Sequence, residues 1–343
     1  MCFRTCSVVG EGHFQTFDGK LYTFAGPCQY VLAEASNNAF SIDVETVLCG
    51  SSGITCTRAI DIHIGNITIF MVKGSEISVN NVQITLPKYY NDLRIEQSGV
   101  YYIVTSDIGL KVKWDLGTRL YVEVDPLFNS LTSGLCGNYD TDQTNDFTTR
   151  TGLVEQSSEN FANSWQVLNN CPDVEELSLD SPCELHPERK AWAMRHCNII
   201  LHSTFEECHS KVEPEPYFDR CTYDACGCDY GGDCECLCTA VAAYAQECND
   251  AGVYIKWRSQ DLCPMQCESG LEYMACGPTC RQTCDTISGE DPLHCSECVE
   301  GCHCPHGYVA QDEGCVLADE CPCVYENGEY PPGTVITKEC QNW

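Results

Sequence analysis

The chain has 343 residues, 30 of them cysteine, and its 50 acidic side chains outnumber 19 basic ones for a net charge of −31. Such a charge repels nucleic acid and anionic membranes and attracts cations, and no run of ~20 apolar residues is present to span a bilayer. Cysteine at this density belongs in an oxidising compartment as a disulfide framework, which predicts a secreted, extracellular protein of two or more units at ~150 residues per domain.

The start, Met1-Cys2-Phe3-Arg4-Thr5-Cys6, lacks the apolar core of a signal peptide, and with the ending Cys340-Gln341-Asn342-Trp343 it reads as a piece of a longer secreted chain. From residue 12 to about 166 short runs alternate with period two, as at 59–64, 68–72, 78–84 and 101–105. Turn signals at 73–75, 80–81 and 106–109 punctuate them, which predicts an all-β antiparallel sandwich or barrel-like domain. Its six cysteines, Cys2, Cys6, Cys28, Cys49, Cys56 and Cys136, are sparse, so packing carries this part. The acidic stretch 173–176 reads as a linker. Beyond it, segments 187–197 and 239–248 have few β-branched residues and helical apolar spacing, predicting a small disulfide-laced α module. From 267 to 321 Pro, Gly and cysteine dominate, predicting a disulfide-knotted, mostly irregular module in which crosslinks replace a core.

One stretch carries legible chemistry. Residues 138–146, Asn-Tyr-Asp-Thr-Asp-Gln-Thr-Asn-Asp, crowd short oxygen-bearing side chains onto one loop. A hard cation such as calcium takes six to eight oxygen ligands, and this loop can supply most of them. The other reading is a surface turn whose Asx side chains bond their own backbone. An EF-hand is excluded, because its glycine and closing glutamate are absent. The cluster Cys226, Cys228, Cys234, Cys236 and Cys238 has thiolate density enough for zinc, but secretion favours disulfides. His196, His202 and His209 accompany no nucleophile motif, phosphate loop or zinc-protease helix, so no enzyme is read here. These histidines and the acidic surface are instead candidate sensors of secretory-pathway pH. Asn66-Ile67-Thr68 is a glycosylation sequon between two strands, with an unmodified turn as the alternative.

Four motifs in order resemble a known assembly. Phe14-Gln15-Thr16-Phe17-Asp18-Gly19 with Cys28-Gln29-Tyr30, and Gly134-Leu135-Cys136-Gly137-Asn138-Tyr139-Asp140, resemble the two ends of a von Willebrand factor type D domain. Gly232-Asp233-Cys234-Glu235-Cys236-Leu237-Cys238 is similar to the eight-cysteine module that follows such domains, and Cys276-Gly277-Pro278-Thr279-Cys280 through Cys321 to a trypsin-inhibitor-like module. The resemblance, to the family of von Willebrand factor, gel-forming mucins, otogelin and SCO-spondin, implies a β domain at 1–172, a helical eight-cysteine module at 173–265, an inhibitor-like module at 266–321 and a truncated trailing module at 322–343. It also implies a non-enzymatic scaffold of a multimeric glycoprotein, partnered by copies of itself.

By the same resemblance Asp18, Asn138, Asp140, Asn145 and Asp146 are calcium ligands, while Asp142 matches no ligand position. Cys236 matches a position that joins chains in multimerising relatives, an ordinary intrachain bridge being the alternative; residues 271–274 lack the second interchain cysteine. Where many relatives have Cys-Gly-Leu-Cys, this chain has Ser133-Gly134-Leu135-Cys136. A thiol-exchange role therefore fails, and Cys136 is expected to be half of a buried bridge. Residues 286–292 occupy the place of a protease-binding loop, the basis of an alternative reading as an adhesion or inhibitor module; their acidity suits few trypsin-like enzymes.

Overall fold

Alternating apolar residues bury one face of each strand, and here two such faces close on each other. The computed structural model describes every residue except 1–2, 50–52, 75–76, 169, 176–180, 229–233, 280–281, 285–297, 312–313, 326–327, 335–336, 339–340 and 343. The chain divides into two compact units, Met1–Gln97 with Tyr101–Trp257, and Ser98–Val100 with Arg258–Trp343.

In the first unit fifteen strands run in order among the described residues: β1 (Arg4–Val9), β2 (His13–Gln15), β3 (Leu21–Thr23), β4 (Gln29–Ala35), β5 (Phe40–Leu48), β6 (Thr55–Ile64), β7 (Ile67–Val72), β8 (Ser78–Val79), β9 (Val82–Gln83), β10 (Lys88–Tyr90), β11 (Leu93–Ser98), β12 (Tyr101–Ser106), β13 (Leu110–Trp114), β14 (Arg119–Val124) and β15 (Thr132–Ser133). They form an eight-stranded sheet, β10-β11-β12-β13-β14-β1-β2-β3, and a seven-stranded sheet, β15-β4-β5-β6-β7-β8-β9. Phe40, Ile42 and Val44 on β5, with Ile60 and Ile62 on β6, share one core with Val8, Val112 and Val122 of the larger sheet. The run at 78–84 is two strands rather than one. Asn80 and Asn81 both adopt left-handed backbone (φ 50° and 64°) and turn the chain back on itself, as a two-residue hairpin loop requires.

The larger sheet is covered on both faces. Every residue of β13 is buried, including Lys111 and Lys113 on the side away from the core; Lys113 pairs with Glu123, and Lys111 Nζ lies 3.6 Å from the same carboxylate. α1 (Ser158–Asn163) closes the β domain with Phe161 in its core, and α2 (Pro182–Leu185), α3 (Pro187–Cys197), α4 (Glu206–His209), α5 (Glu215–Gly227) and α6 (Cys234–Asp250) follow, α5 and α6 supplying the cover on β2 and β1. Proline opens α2 and α3, where its missing N–H costs no helical hydrogen bond. Cys183–Cys226 ties α2 to α5, Cys197–Cys221 ties α3 to α5 and Cys208–Cys248 ties α4 to α6.

Docking of α5 on the sheet is polar and buried. His13 Nε2–H donates to Asp224 Oδ1 at 2.8 Å while His13 Nδ1 lies 2.9 Å from Thr23 Oγ1, and Arg220 Nη2 donates to the Phe14 carbonyl at 3.0 Å. Gly10 (φ +61°) makes the approach possible: a Cβ there would lie 2.1 Å from Asp224 Oδ2. Nearby, burial pushes the Glu247 carboxyl up to about 7, aided by the charge of Asp250 and opposed by Arg220.

The second unit carries more strand than its composition suggests. Glu272–Pro278 pairs antiparallel with Cys298–His303, and Tyr308–Gln311 with Gly314–Leu317. Cysteines occupy strand positions and mask the alternation, while Cys267–Cys302, Cys276–Cys298, Cys284–Cys321 and Cys304–Cys315 hold the backbones together. Its polar centre is Glu300, gripped by Arg258 Nε and Nη2 at 2.7 and 2.9 Å and by Tyr273 OH at 2.8 Å.

Removing one partner of the buried pair strands the other. Asp224→Ala is expected to lower stability by about 3 kcal/mol in denaturant unfolding with disulfides intact, and Gly10→Ala to destabilise through its clash with the same side chain.

Candidate metal centre

Two stretches far apart in sequence meet at one end of the sandwich. The β2–β3 turn is self-braced: Thr16 N–H donates to the Lys20 carbonyl, Lys20 N–H to Thr16 Oγ1, and Gly19 takes φ +89°. Phe17, buried at the turn, donates its N–H to the Cys136 carbonyl at 3.0 Å, and Cys136 is bonded to Cys6 on β1. Cys136 is therefore half of a buried bridge. Ser133, in the place of the absent thiol, donates its hydroxyl to Glu34 Oε1.

Beyond Cys136 the loop is forced into an unusual path. Tyr139 and Thr141 both take left-handed backbone (φ 53° and 76°), and for β-branched Thr141 that conformation is strained. Tyr139 is locked by burial against Phe17 and by Ser130 N–H and Asn129 Nδ2 on its carbonyl. The payoff is a set of amides aimed at Asp18: Oδ2 accepts from Asp140 N–H at 2.9 Å and Oδ1 from Thr141 N–H at 2.8 Å, while Gln143 Nε2 holds the Asp18 carbonyl at 2.8 Å.

The five residues marked in the sequence lie in this one network. Asp140 Oδ2 accepts from Asn138 Nδ2 (3.1 Å) and Asn145 Nδ2 (2.8 Å), Asn138 Nδ2 also reaches Asn145 Oδ1 (2.8 Å), and Asp146 Oδ2 accepts from Thr16 Oγ1 (2.6 Å). The Asp142 side chain is exposed, and hydrogen bonds from Thr144 hold its pKa low, while its N–H donates to Asp140 Oδ1 at 2.8 Å. Asp140 and Asp142 both make the Asx-turn bond of the alternative reading, to the N–H two residues on.

Two oxygens are left over. Asn138 Oδ1 and Asp146 Oδ1 are buried without a hydrogen-bond donor, an arrangement that costs free energy unless something else satisfies them. Burial raises the Asp146 carboxyl to about 6, with the Asp18 charge adding to the rise and the Thr16 hydroxyl, Asn138 N–H and Lys20 opposing it. Gly137 (φ +76°) leaves room for Asp146 Oδ1, since a Cβ there would lie 2.3 Å away. Donors made only of carboxylate and amide oxygen fit a hard cation and not a thiophilic one. Among the described residues no trio of carboxylate ligand atoms here falls within 4.8 Å, so a shell must draw on the Asn138 and Asn145 oxygens as well. Thr16, Gln143 and Gly137 were not singled out in the sequence; their proximity to Asp18 and to Cys136-Gly137-Asn138 was the available signal.

The remaining candidates are dispersed. Cys236 is bonded to Cys228, with Glu11 Oε1 3.4 Å from both sulfurs. Cys226 is bonded to Cys183 and Cys238 is also in a disulfide, so these sulfurs are not free thiolates for zinc. His196 stacks on Trp192 at 4.0 Å, His209 contacts the Ile200 carbonyl, and His202 lies exposed beside Ser203. Asn66 is exposed in the β6–β7 turn. The protease-loop segment 286–292 lies outside the described residues.

Three family models match in order: von Willebrand factor type D domain at residues 6–153, C8 domain at 196–264 and trypsin-inhibitor-like cysteine-rich domain at 260–321. The chain is a von Willebrand type D assembly. It is 44% identical to SCO-spondin of Gallus gallus over 99% of its own length, 39% identical to human Mucin-2 over 99%, and 37% identical to human Mucin-5AC over 99%. It spans only 7%, 7% and 6% of those proteins.

The raised Asp146 pKa fixes a sign. Because the folded value, about 6, lies above the ordinary aspartate value of 3.8, the folded state binds more protons in that interval, and cation-free protein loses stability as pH rises through it. In chelator, Asp146→Asn should therefore gain melting temperature over wild type at pH 7.5, with the difference shrinking toward pH 4.

Proposed function

We propose that the chain is a calcium-stabilised, disulfide-crosslinked, non-enzymatic building block of a secreted multimeric glycoprotein that assembles with its own kind into an extracellular gel or matrix. The observation that carries the calcium reading is the pair of buried, donor-less oxygens on Asn138 and Asp146, beside Asp18, Asp140 and Asn145. Bound there, a divalent cation supplies the positive charge that lets several carboxylates share one pocket. The chain's own part is to present them: the Cys6–Cys136 bridge and the Phe17 amide hold the two stretches together, and the Asp140 and Thr141 amides fix the Asp18 carboxylate.

Similarity to SCO-spondin and to two mucins along almost the whole chain supports the scaffold reading, as does a disulfide network reaching into both units. No helix among the described residues is long and apolar enough to cross a membrane.

Calcium at ~100 times its dissociation constant stabilises by roughly 3 kcal/mol. Scanning calorimetry at pH 7.4 should show a melting temperature that falls on chelation, and a smaller effect at pH 5, because ligands must shed protons to bind; an unchanged melting temperature at pH 7.4 sinks the assignment. Asp18→Asn with Asp140→Asn should remove most of the calcium effect. For assembly, light scattering should report self-association, and non-reducing electrophoresis of wild type against Cys236→Ala separates an interchain bond from the Cys228–Cys236 bridge. Enzymatic deglycosylation should shift the mass of secreted wild type but not of Asn66→Gln.

A further inference from the structure

The outer face of the seven-stranded sheet holds a second, separate group of oxygens. Asp43 on β5 and Asp61 on β6 are direct cross-strand partners, so their side chains leave the same face with Cβ atoms ~5 Å apart. Asp43 is only 9% exposed, and its buried Oδ1 has no hydrogen-bond donor. Asp61 is more open and accepts from Gln29 Nε2 at 3.2 Å.

The surrounding charges offset this only in part: His63 and Arg150 draw the Asp43 carboxyl down against Asp61 and Glu34, which push it up. Glu34 on β4 adds a third negative charge, and its Oε1 is held by Ser133. Glu45 on β5 is already paired with Arg58 at 2.8 Å. His63 on β6 turns Nδ1 to Thr68 Oγ1 at 3.2 Å, and the Arg150 guanidinium lies 5.3 Å over the Trp165 ring. Like charges directly opposite on neighbouring strands repel, and a buried carboxylate oxygen without a donor is costly. Burial raises the Asp43 carboxyl to about 6, with Asp61 and Glu34 adding to the rise and His63 and Arg150 opposing it, so near neutral pH it still ionises.

We propose that Asp43 and Asp61 form a second divalent-cation site, distinct from the loop at residues 138–146, that takes a hard, partly hydrated cation of the calcium class. Among the described residues no third Asp, Glu, His or Cys ligand atom completes a trio with them within 4.8 Å. That disfavours a four-ligand zinc site and suits calcium, which accepts water and amide oxygen in a flexible shell. The Gln29 side-chain amide is placed to contribute, because its oxygen and nitrogen exchange places by a simple flip. Two carboxylates and water put the affinity near the weak, extracellular range, ~10⁻⁴ to 10⁻³ M.

Calorimetric titration of the full chain with calcium chloride at pH 7.4 tests this. Asp43→Asn with Asp61→Asn should bind one calcium fewer than wild type, whereas Asp18→Asn with Asp140→Asn should retain that same weak site. In chelator, Asp43→Asn should melt at or above wild type, because the repulsion is gone. Unchanged stoichiometry in the Asp43/Asp61 double variant overturns the proposal, and so does an Asp43→Asn protein that melts well below wild type in chelator. Failure of the loop site alone would leave stoichiometry unchanged in the Asp18/Asp140 variant, a different result.

Discussion

Everything at the end of the β domain that carries Asp18 and the 138–146 loop hangs on the Phe17 amide meeting the Cys136 carbonyl. The Cys6–Cys136 disulfide, which spans 130 residues of sequence, makes that meeting permanent. Closing a loop of that size removes unfolded-state entropy worth about 5 kcal/mol in the chain-entropy model. More to the point, it fixes the β2–β3 turn against the loop after β15. Without that anchor the loop keeps the Ser130 and Asn129 bonds to the Tyr139 carbonyl but is no longer held against the β2–β3 turn, and Asp18 loses the two amides that orient it.

The protein handles its many carboxylates in different ways according to their surroundings. Glu123 is paired with Lys111 and Lys113 beneath the helical cover, Asp224 takes a hydrogen bond from His13, and Glu300 is held by a two-pronged Arg258. Asp146 and Asp43 are buried with an oxygen that no protein donor reaches, and burial raises both. In a chain of net charge −31, uncompensated buried carboxylates are where a dissolved cation has most to offer, since it relieves desolvation and mutual repulsion together.

Stability is divided between packing and sulfur. The sandwich buries large side chains such as Trp114, Tyr30 and Phe14 in a continuous core, and three disulfides suffice among its described residues. Among its described residues the second unit buries little beyond Val299, Val309 and Ala310 of its aliphatic side chains. There a crosslink every few residues does what a small core cannot.

The sequence by itself determined the class of the β domain and of the helical module and which residues gather at the loop, but not the strands of the second unit. Period-two runs such as 59–64 became strands, β-branch-poor 187–197 became a helix, and Asp18, Asn138, Asp140, Asn145 and Asp146 lie in one hydrogen-bonded network. These are local signals, because side-chain periodicity and residue type act within a few positions. Contacts over long separations were decided only by tertiary structure. The helices were legible as helices, but not as the lid that buries Lys113 or brings Asp224 to His13, 211 residues away. The pairing of Cys228 with Cys236 was one of many that spacing allows. Asp43 and Asp61 are unremarkable in sequence and become a charged pair only through strand register, which is set by how all the strands pack together and not by either residue's neighbours.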